Sequence, residues 1–149
     1  MLKFSDSYHV TDIFNEDTVL DKLLKLKPSK SSGPDSMHPH ELHACAHAIA
    51  KPLTKIFTRS YECGVLPSDW KLANVTPVYK KGSRNQTGNY RPISLTSVPC
   101  KMMESLLEDK MTAFLDDNQI LSKYQHGFIK GRSCLTNLLR DLRRLDYST

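Results

Sequence analysis

The 149-residue chain is long enough to form one domain with a modest hydrophobic core. Hydrophobic residues make up 39% of it, a proportion typical of folded rather than disordered proteins. The formal net charge of +5 is a mild bias, and its distribution is more informative. Acids are concentrated in residues 6–21 and 104–117, whereas residues 70–103 contain several lysines and arginines and no acid. This basic stretch indicates either a solvated surface or a contact with an anionic partner such as phosphate.

The four cysteines are far apart in the sequence and form no CxxC pair. This spacing argues against a zinc ribbon, a redox motif or a disulfide framework, and it favours free thiols in a reducing compartment. No apolar run approaches the length of a transmembrane helix, and the N-terminus has no signal-peptide core. We therefore expect an intracellular protein without a membrane partner, and the sequence leaves nucleus and cytoplasm open.

The first half of the chain predicts helices connected by a polar loop. Residues 1–14 are interpreted as a leader, in which the run YHVTDIF is either a short strand or part of that leader. Asn15 has the residue type of a helix N-cap, and the leucine-rich pattern after it predicts a helix. Residues 28–39 are rich in Ser, Gly and Pro and predict a loop. Two further helices follow, with Pro52 in the first turn of the second and Gly64 at its end.

The second half of the chain predicts a hairpin and then two helices. The β-prone runs LANVTPVY and NYRPISL flank a basic, glycine-containing loop, which predicts two strands joined at a cationic tip. A repeat of Met, Leu and Phe at helical spacing follows, and we interpret it as core rather than as a binding surface. Leucines near the C-terminus predict an amphipathic helix whose apolar face needs a partner. These leucines are Leu135, Leu138, Leu139, Leu142 and Leu145.

Four motifs in order, KSSGPDSMHPHEL, GVLPSDWKLANVTPVYKKG, GNYRPISLTSVPCKMMESLL and QHGFIKGRSCLTNLL, resemble a known family. From about Val19 to Leu139 the chain resembles the N-terminal part of a jockey-like, non-LTR (LINE-type) retrotransposon reverse transcriptase. The resemblance implies the fingers subdomain and the beginning of the palm, which grip template RNA and close over the incoming nucleotide. The family usually reads SGPDG, whereas this chain has Ser36 in the last position. If that turn requires a positive φ, Ser36 strains it modestly.

The resemblance implies a nucleotide site on the hairpin. Arg91, in NYRPISL, matches the family arginine that contacts the triphosphate, and a guanidinium can bind phosphate oxygens in bidentate fashion. Lys80 resembles the fingers lysine that contributes a point charge there, and Lys81 is its nearest substitute. A triphosphate carries roughly four negative charges, so several cations at fixed positions suit it. The alternative role for Arg91 is a structural ion pair that closes the hairpin.

The QHGF motif implies a contact with the template and the nucleotide pocket. Gln125 and Gly127 lie in this motif, and a glycine there permits close backbone approach or a positive φ. Phe128 is either a platform for a base or a core anchor, and the sequence alone favours the core. Lys130 and Arg132 are expected to contact the template backbone whatever its sequence.

Polymerisation requires two metal ions, Mg²⁺ in the full-length family enzyme, held by carboxylates of the palm. In the family those carboxylates lie downstream of QHGF, beyond this sequence, so we expect no catalytic residue, metal ligand or cofactor in this chain. The F-x-D-D pattern from Phe114 to Asp117 is better interpreted as a solvated helix end. The tail from Leu145 to Ser148 echoes the first catalytic motif but cannot complete the site. The histidines from His38 to His47 suggest zinc, but HELHA lacks the HExxH spacing.

The resemblance thus predicts an α+β, mainly helical fold: the fingers subdomain of a reverse transcriptase, with a two-stranded hairpin and most of the palm missing. The partial domain covers residues 15–149. Its predicted function is that of an N-terminal fragment of a retrotransposon RNA-directed DNA polymerase, inactive by itself or part of a longer active enzyme. Expected partners are RNA or an RNA/DNA primer–template, and deoxynucleoside triphosphate in the complete enzyme. The alternative is a non-enzymatic RNA-binding or interaction module derived from such an element.

Overall fold

The computed structural model describes residues 8–122, 124–127, 129 and 131–139. These residues form a mixed helical and β structure, about half helical, with a two-stranded antiparallel hairpin. The helices are α1 (Val10–Ile13), α2 (Glu16–Leu24), α3 (Pro39–Ala44), α4 (Ala46–Cys63) and α5 (Val98–Asp117), and the strands are β1 (Ala73–Tyr79) and β2 (Tyr90–Thr96). Residues 134–139 are also helical. The chain divides into two compact units, 1–110 and 111–149.

Asn15 is the N-cap of helix α2, as its residue type predicted. The Asn15 side chain accepts a hydrogen bond from the Thr18 N–H at 2.9 Å, and the Thr18 hydroxyl accepts from the Asn15 N–H at 3.4 Å. This reciprocal cap satisfies two backbone donors near the start of the helix. Upstream, the YHVTDIF run forms the short helix α1 rather than a strand, and it places Ile13 and Phe14 in the core.

Helix α4 corrects one sequence prediction and confirms another. Gly64 ends the helix in the left-handed conformation, with a φ of 64°, as predicted. The prediction that Pro52 occupies a first turn was wrong, because the break between the helices falls at Cys45 and Pro52 lies inside α4. Proline has no N–H to donate to the carbonyl of Ala48. Both residues are on the exposed side of the helix, where water can satisfy that carbonyl.

The core of the first unit is built on aromatic contacts between α1, α4 and the turn before β1. The Phe57 ring is fully buried, and its centroid lies 5.8 Å from that of Phe14 and 5.7 Å from that of Trp70. Tilted pairs at this distance contribute about 0.5–1.5 kcal/mol beyond the burial of their area. On α5, Met102 and Met103 are also buried, which confirms their interpretation as core, whereas Met111 is exposed.

The SGPDS turn packs against the junction of β2 and α5. Gly33 is buried, and a Cβ at this position would lie 2.7 Å from the backbone N and Cα of Ser97. Such an approach leaves no room for a side chain, so glycine is required there. The N–H of Ser36 donates to the Gly33 carbonyl at 3.2 Å and closes the turn. Ser36 has a φ of 57°, which confirms the expected strain, and the left-handed conformation costs a non-glycine residue about 1–2 kcal/mol.

The hairpin is exposed on both faces. All seven residues of β1 are exposed, and so are the central residues of β2. The hairpin is nevertheless anchored at both ends, since Trp70 precedes β1 in the core and the fully buried Ser97 follows β2. None of the helices in the described part of the chain is long and apolar enough to cross a membrane.

Candidate nucleic-acid interface

The strand register places two of the predicted site residues on one face of the hairpin. Arg91 pairs with Val78, and residues paired across an antiparallel ladder point to the same face. The Lys80 N–H donates to the Asn89 carbonyl at 2.8 Å, which extends the ladder by one pair beyond β1. Since side chains alternate along a strand, Lys80 and Val78 share a face. Lys80 and Arg91 are therefore diagonal neighbours, about 7–8 Å apart at their backbones.

The other face of the hairpin holds the tip in place. The Tyr79 and Tyr90 rings meet edge to face with centroids 5.7 Å apart, and the Arg84 guanidinium lies 5.2 Å from the centroid of Tyr79. The Tyr90 hydroxyl donates to the Arg84 carbonyl at 2.9 Å, and the Tyr79 hydroxyl donates to the Gly82 carbonyl. The guanidinium and the carbonyl of Arg84 thus both make contacts that hold the loop in place. This cluster was not among the predicted features, and its signal in the sequence is the pair of tyrosines that flank the loop.

The three cations predicted to bind the triphosphate have no acidic partner within the described chain. Lys80, Lys81 and Arg91 are exposed, and none of them forms a salt bridge with a described residue. The ion pair considered for Arg91 is therefore not formed with any residue that the structure describes. Lys81 follows Lys80 into the loop and lies beyond the last ladder pair. An exposed cationic face of this kind is free to meet an anion.

The second unit contains the QHGF segment, which is held by hydrogen bonds of its own. Arg132 donates to the carbonyl of Gln125 and, at 3.4 Å, to that of Ser122. The Nδ1 atom of His126 lies 2.9 Å from the Thr136 hydroxyl, which ties the segment to the following helix. Arg132 therefore shapes this segment in addition to any contact with a ligand. At Gly127 an added Cβ would meet no described atom within 4 Å.

Two further predicted template residues, Phe128 and Lys130, lie outside the described residues. The same is true of Leu142 and Leu145 in the predicted C-terminal helix and of the Leu145–Ser148 tail. The described leucines of that helix, Leu135, Leu138 and Leu139, are exposed, so their apolar face is uncovered by described residues.

The side chains considered as metal ligands in the sequence include residues that lie at the ends of helices. Asp116 and Asp117 are the exposed last residues of α5, and the Asn118 side chain donates to the Phe114 carbonyl at 2.8 Å. The His38 ring accepts from the N–H of His40 at 3.3 Å and caps α3. Within the ranges that the structure describes, no group of three or more His, Cys, Asp or Glu side chains is placed to hold a metal ion.

All four cysteines are free thiols, as their spacing predicted. Cys45, Cys63 and Cys134 are exposed, whereas Cys100 is buried in the first turn of α5. Burial raises the pKa of the Cys100 thiol, and the negative charge of Glu104 raises it further. Cys100 is therefore a protonated core residue at neutral pH rather than a nucleophile.

Comparisons with known proteins indicate the class of protein that this chain resembles. No family model matches the chain. Curated relatives are nevertheless proteins of non-LTR retrotransposons, several of them named RNA-directed DNA polymerases, and they match most of its length at 23–29% identity. This similarity confirms the resemblance to reverse transcriptases of that class which the four motifs indicate.

The particular relatives belong to insect elements. The chain is 27% identical over 123 residues to the probable RNA-directed DNA polymerase from transposon BS of Drosophila melanogaster, which is 82% of this chain and 14% of the relative. It is 29% identical over 119 residues to the retrovirus-related Pol polyprotein from the type-1 retrotransposable element R1 of Bradysia coprophila, with 78% and 12% covered. It is 27% identical over 107 residues to the RNA-directed DNA polymerase from the mobile element jockey of D. melanogaster, with 71% and 12% covered. The chain thus spans about one seventh or less of these relatives.

Proposed function

We propose that this chain is the fingers portion of a retrotransposon RNA-directed DNA polymerase, and that it binds template RNA and the triphosphate of the incoming deoxynucleotide. The observation that carries the proposal is the shared hairpin face of Lys80 and Arg91, which no described acid neutralises. The similarity to retrotransposon polymerases supports it.

The two cations suit a triphosphate in different ways. Arg91 presents a planar fork that can donate two parallel hydrogen bonds to phosphate oxygens, whereas Lys80 supplies a compact charge. Their different lengths and shapes allow them to bind neighbouring phosphates from one face. Lys81, in the loop, is placed to add a third charge when the hairpin closes over its ligand.

Template contacts are assigned to the second unit. Gln125, Gly127, Phe128, Lys130 and Arg132 are the residues that we expect to meet the template strand. Lysine and arginine contacts to the phosphate backbone are independent of base sequence, so they suit an enzyme that copies many templates. Chemistry requires Mg²⁺ on palm carboxylates outside these contacts, so we expect the isolated chain to synthesise no DNA on a primed RNA with magnesium.

The proposal is tested by anisotropy titration of a fluorescent primed RNA at several salt concentrations. Without a bound nucleotide the hairpin face is also open to RNA phosphates, so we expect the double variant Lys80→Ala with Arg91→Ala to bind the primed RNA more weakly and to lower the salt slope by up to about two, one for each lost phosphate contact. The matched control is Lys51→Ala with Lys55→Ala, which removes the same charge from the exposed side of α4. Its slope should fall far less than that of the hairpin variant.

A second titration separates nucleotide from template. Arg91→Lys keeps the charge and removes the fork, so it should weaken binding of a deoxynucleoside triphosphate to the RNA-bound chain more than it weakens RNA binding. Salt-independent RNA binding, or equal losses in the hairpin and control variants, would contradict the proposal. DNA synthesis by the pure chain would contradict the expectation that the catalytic carboxylates lie elsewhere.

A further inference from the structure

A lysine-lined groove lies in the first unit, away from the cationic hairpin face. Its volume is about 320 Å³, within the range of ligand-binding clefts. One wall is the C-terminal end of α2 with the loop that follows it, and the other is the first half of α5. The positions Val98, Lys101, Met102 and Ser105 line the groove at the i, i+3, i+4 and i+7 spacing of a single helix face.

The groove carries more positive charge than its own acids neutralise. Lys22 pairs with Asp109 at 2.7 Å and donates to Ser105 at 2.7 Å, so the charge of this lysine is neutralised. Lys25 pairs with Asp21 at 2.6 Å. The remaining lining lysines are Lys27, Lys30 and Lys101. These three are exposed and form no salt bridge within the described chain, which leaves three positive charges around one cleft.

The groove between these charges is aliphatic. Leu26, Pro39, Val98 and Met102 line it, and Leu26 is half-buried while the other three show only small parts of their side chains at the floor. None of the lining residues is aromatic. Proteins that hold single-stranded nucleic acids combine phosphate contacts with stacking of bases on aromatic side chains, and this lining offers no such platform. An aliphatic floor with a cationic rim instead complements an amphipathic ligand that has aliphatic groups on one side and carboxylates on the other.

We propose that this groove binds an acidic amphipathic peptide of a partner protein. Its leucine-like side chains would occupy the floor, and its carboxylates would meet Lys27, Lys30 and Lys101. Peptides that dock by one helical face present apolar anchors at i, i+3 or i+4 spacing, so such a peptide can place its anchors on the floor and its carboxylates at the cationic rim. This binding activity goes beyond the proposed grip on template and nucleotide and does not use the hairpin.

The test uses the full chain and a short fluorescent peptide of leucine and glutamate arranged at helical spacing. We expect saturable binding in an anisotropy titration, and the same peptide with glutamine in place of glutamate should bind about tenfold more weakly. The double variant Lys30→Glu with Lys101→Glu should lose at least as much affinity, because it converts attraction into repulsion at two exposed positions. Lys51→Glu with Lys55→Glu, an equal charge change outside the groove, should retain the affinity.

Competition identifies the class of ligand. If a single-stranded RNA displaces the peptide from the wild-type chain and loses affinity in the Lys30→Glu, Lys101→Glu variant, the groove is a nucleic-acid surface and the proposal is wrong. It is equally wrong if the glutamine peptide binds as well as the glutamate peptide, or if no binding occurs. Arg91→Ala should leave peptide affinity unchanged, so the hairpin proposal and this one can fail independently.

Discussion

The packed helices and the hairpin of the first unit are both rich in apolar residues, but their burial is opposite. Phe57 on α4 is fully buried, whereas Val75 on β1 is 63% exposed. The helices bury apolar faces against one another, while the two-stranded ribbon has two faces and no element among the described residues covers either. Isolated hairpins are marginally stable in water. The comparison therefore indicates that the hairpin depends on its anchors in the core, and that its exposed surface is available for binding.

The largest expected difference between the two regions is the cost of removing an apolar side chain. Phe57→Ala should lower the free energy of unfolding by about 3–5 kcal/mol, because it leaves a cavity between Phe14 and Trp70. Ile93→Ala, at a residue that is 45% exposed in β2, should cost less than about 1 kcal/mol. Urea unfolding followed by the fluorescence of Trp70, the single tryptophan, measures both. Similar losses of unfolding free energy at the two positions would contradict the contrast between the buried helices and the exposed hairpin.

A second comparison concerns glycines in the two regions. Gly33→Ala should destabilise by about 1–3 kcal/mol, since its Cβ would lie 2.7 Å from the backbone of Ser97. Gly88→Ala in the hairpin tip is the control, because its Cβ would meet nothing within 4 Å among the described residues. The midpoints of urea unfolding should fall clearly for the first variant only. An unchanged midpoint for Gly33→Ala would mean that the SGPDS turn does not pack as described.

The buried thiol of Cys100 should make the stability of the folded chain depend on pH in the alkaline range. The pKa of Cys100 is raised by burial and by Glu104, so the folded chain holds this proton more tightly than the unfolded chain does. Its contribution to stability is complete below the ordinary thiol pKa of 9.0 and is lost as the pH rises through the higher folded pKa. Cys100→Ala should therefore flatten the fall of unfolding free energy above pH 9.0. Parallel curves for the wild-type and variant chains would contradict this assignment.

The smallest expected effect is a gain. Ser36→Gly should raise the free energy of unfolding by up to about 1 kcal/mol, because the relief of the positive φ exceeds the added entropy of the unfolded chain. Ser83→Gly in the hairpin loop provides the opposite case. Ser83 does not have a positive φ that glycine could relieve, so this substitution only adds conformational entropy to the unfolded chain. Urea midpoints should move up for Ser36→Gly and slightly down for Ser83→Gly. A fall in both would show that the turn does not strain Ser36.

Part of the candidate site followed from local sequence signals. The two β-prone runs and the basic loop predicted the hairpin and its cationic tip, and both are present. What the runs could not show was the register, which depends on how the ten residues between β1 and β2 fold. The tyrosine cluster and the Lys80–Asn89 hydrogen bond set that fold, and through it they place Lys80 and Arg91 on one face.

By itself the sequence determined the features that act over a few residues: the Asn15 cap, the Gly64 helix end, the strands and the buried methionines of α5. Caps, turns and periodicity operate through neighbouring backbone groups, so they are visible before the fold is known. Tertiary structure alone decided the helical course through Pro52, the close approach at Gly33, the exposure of the hairpin and the lysine groove. Each of these depends on which distant segments pack together and which surfaces remain uncovered, and no local pattern encodes that.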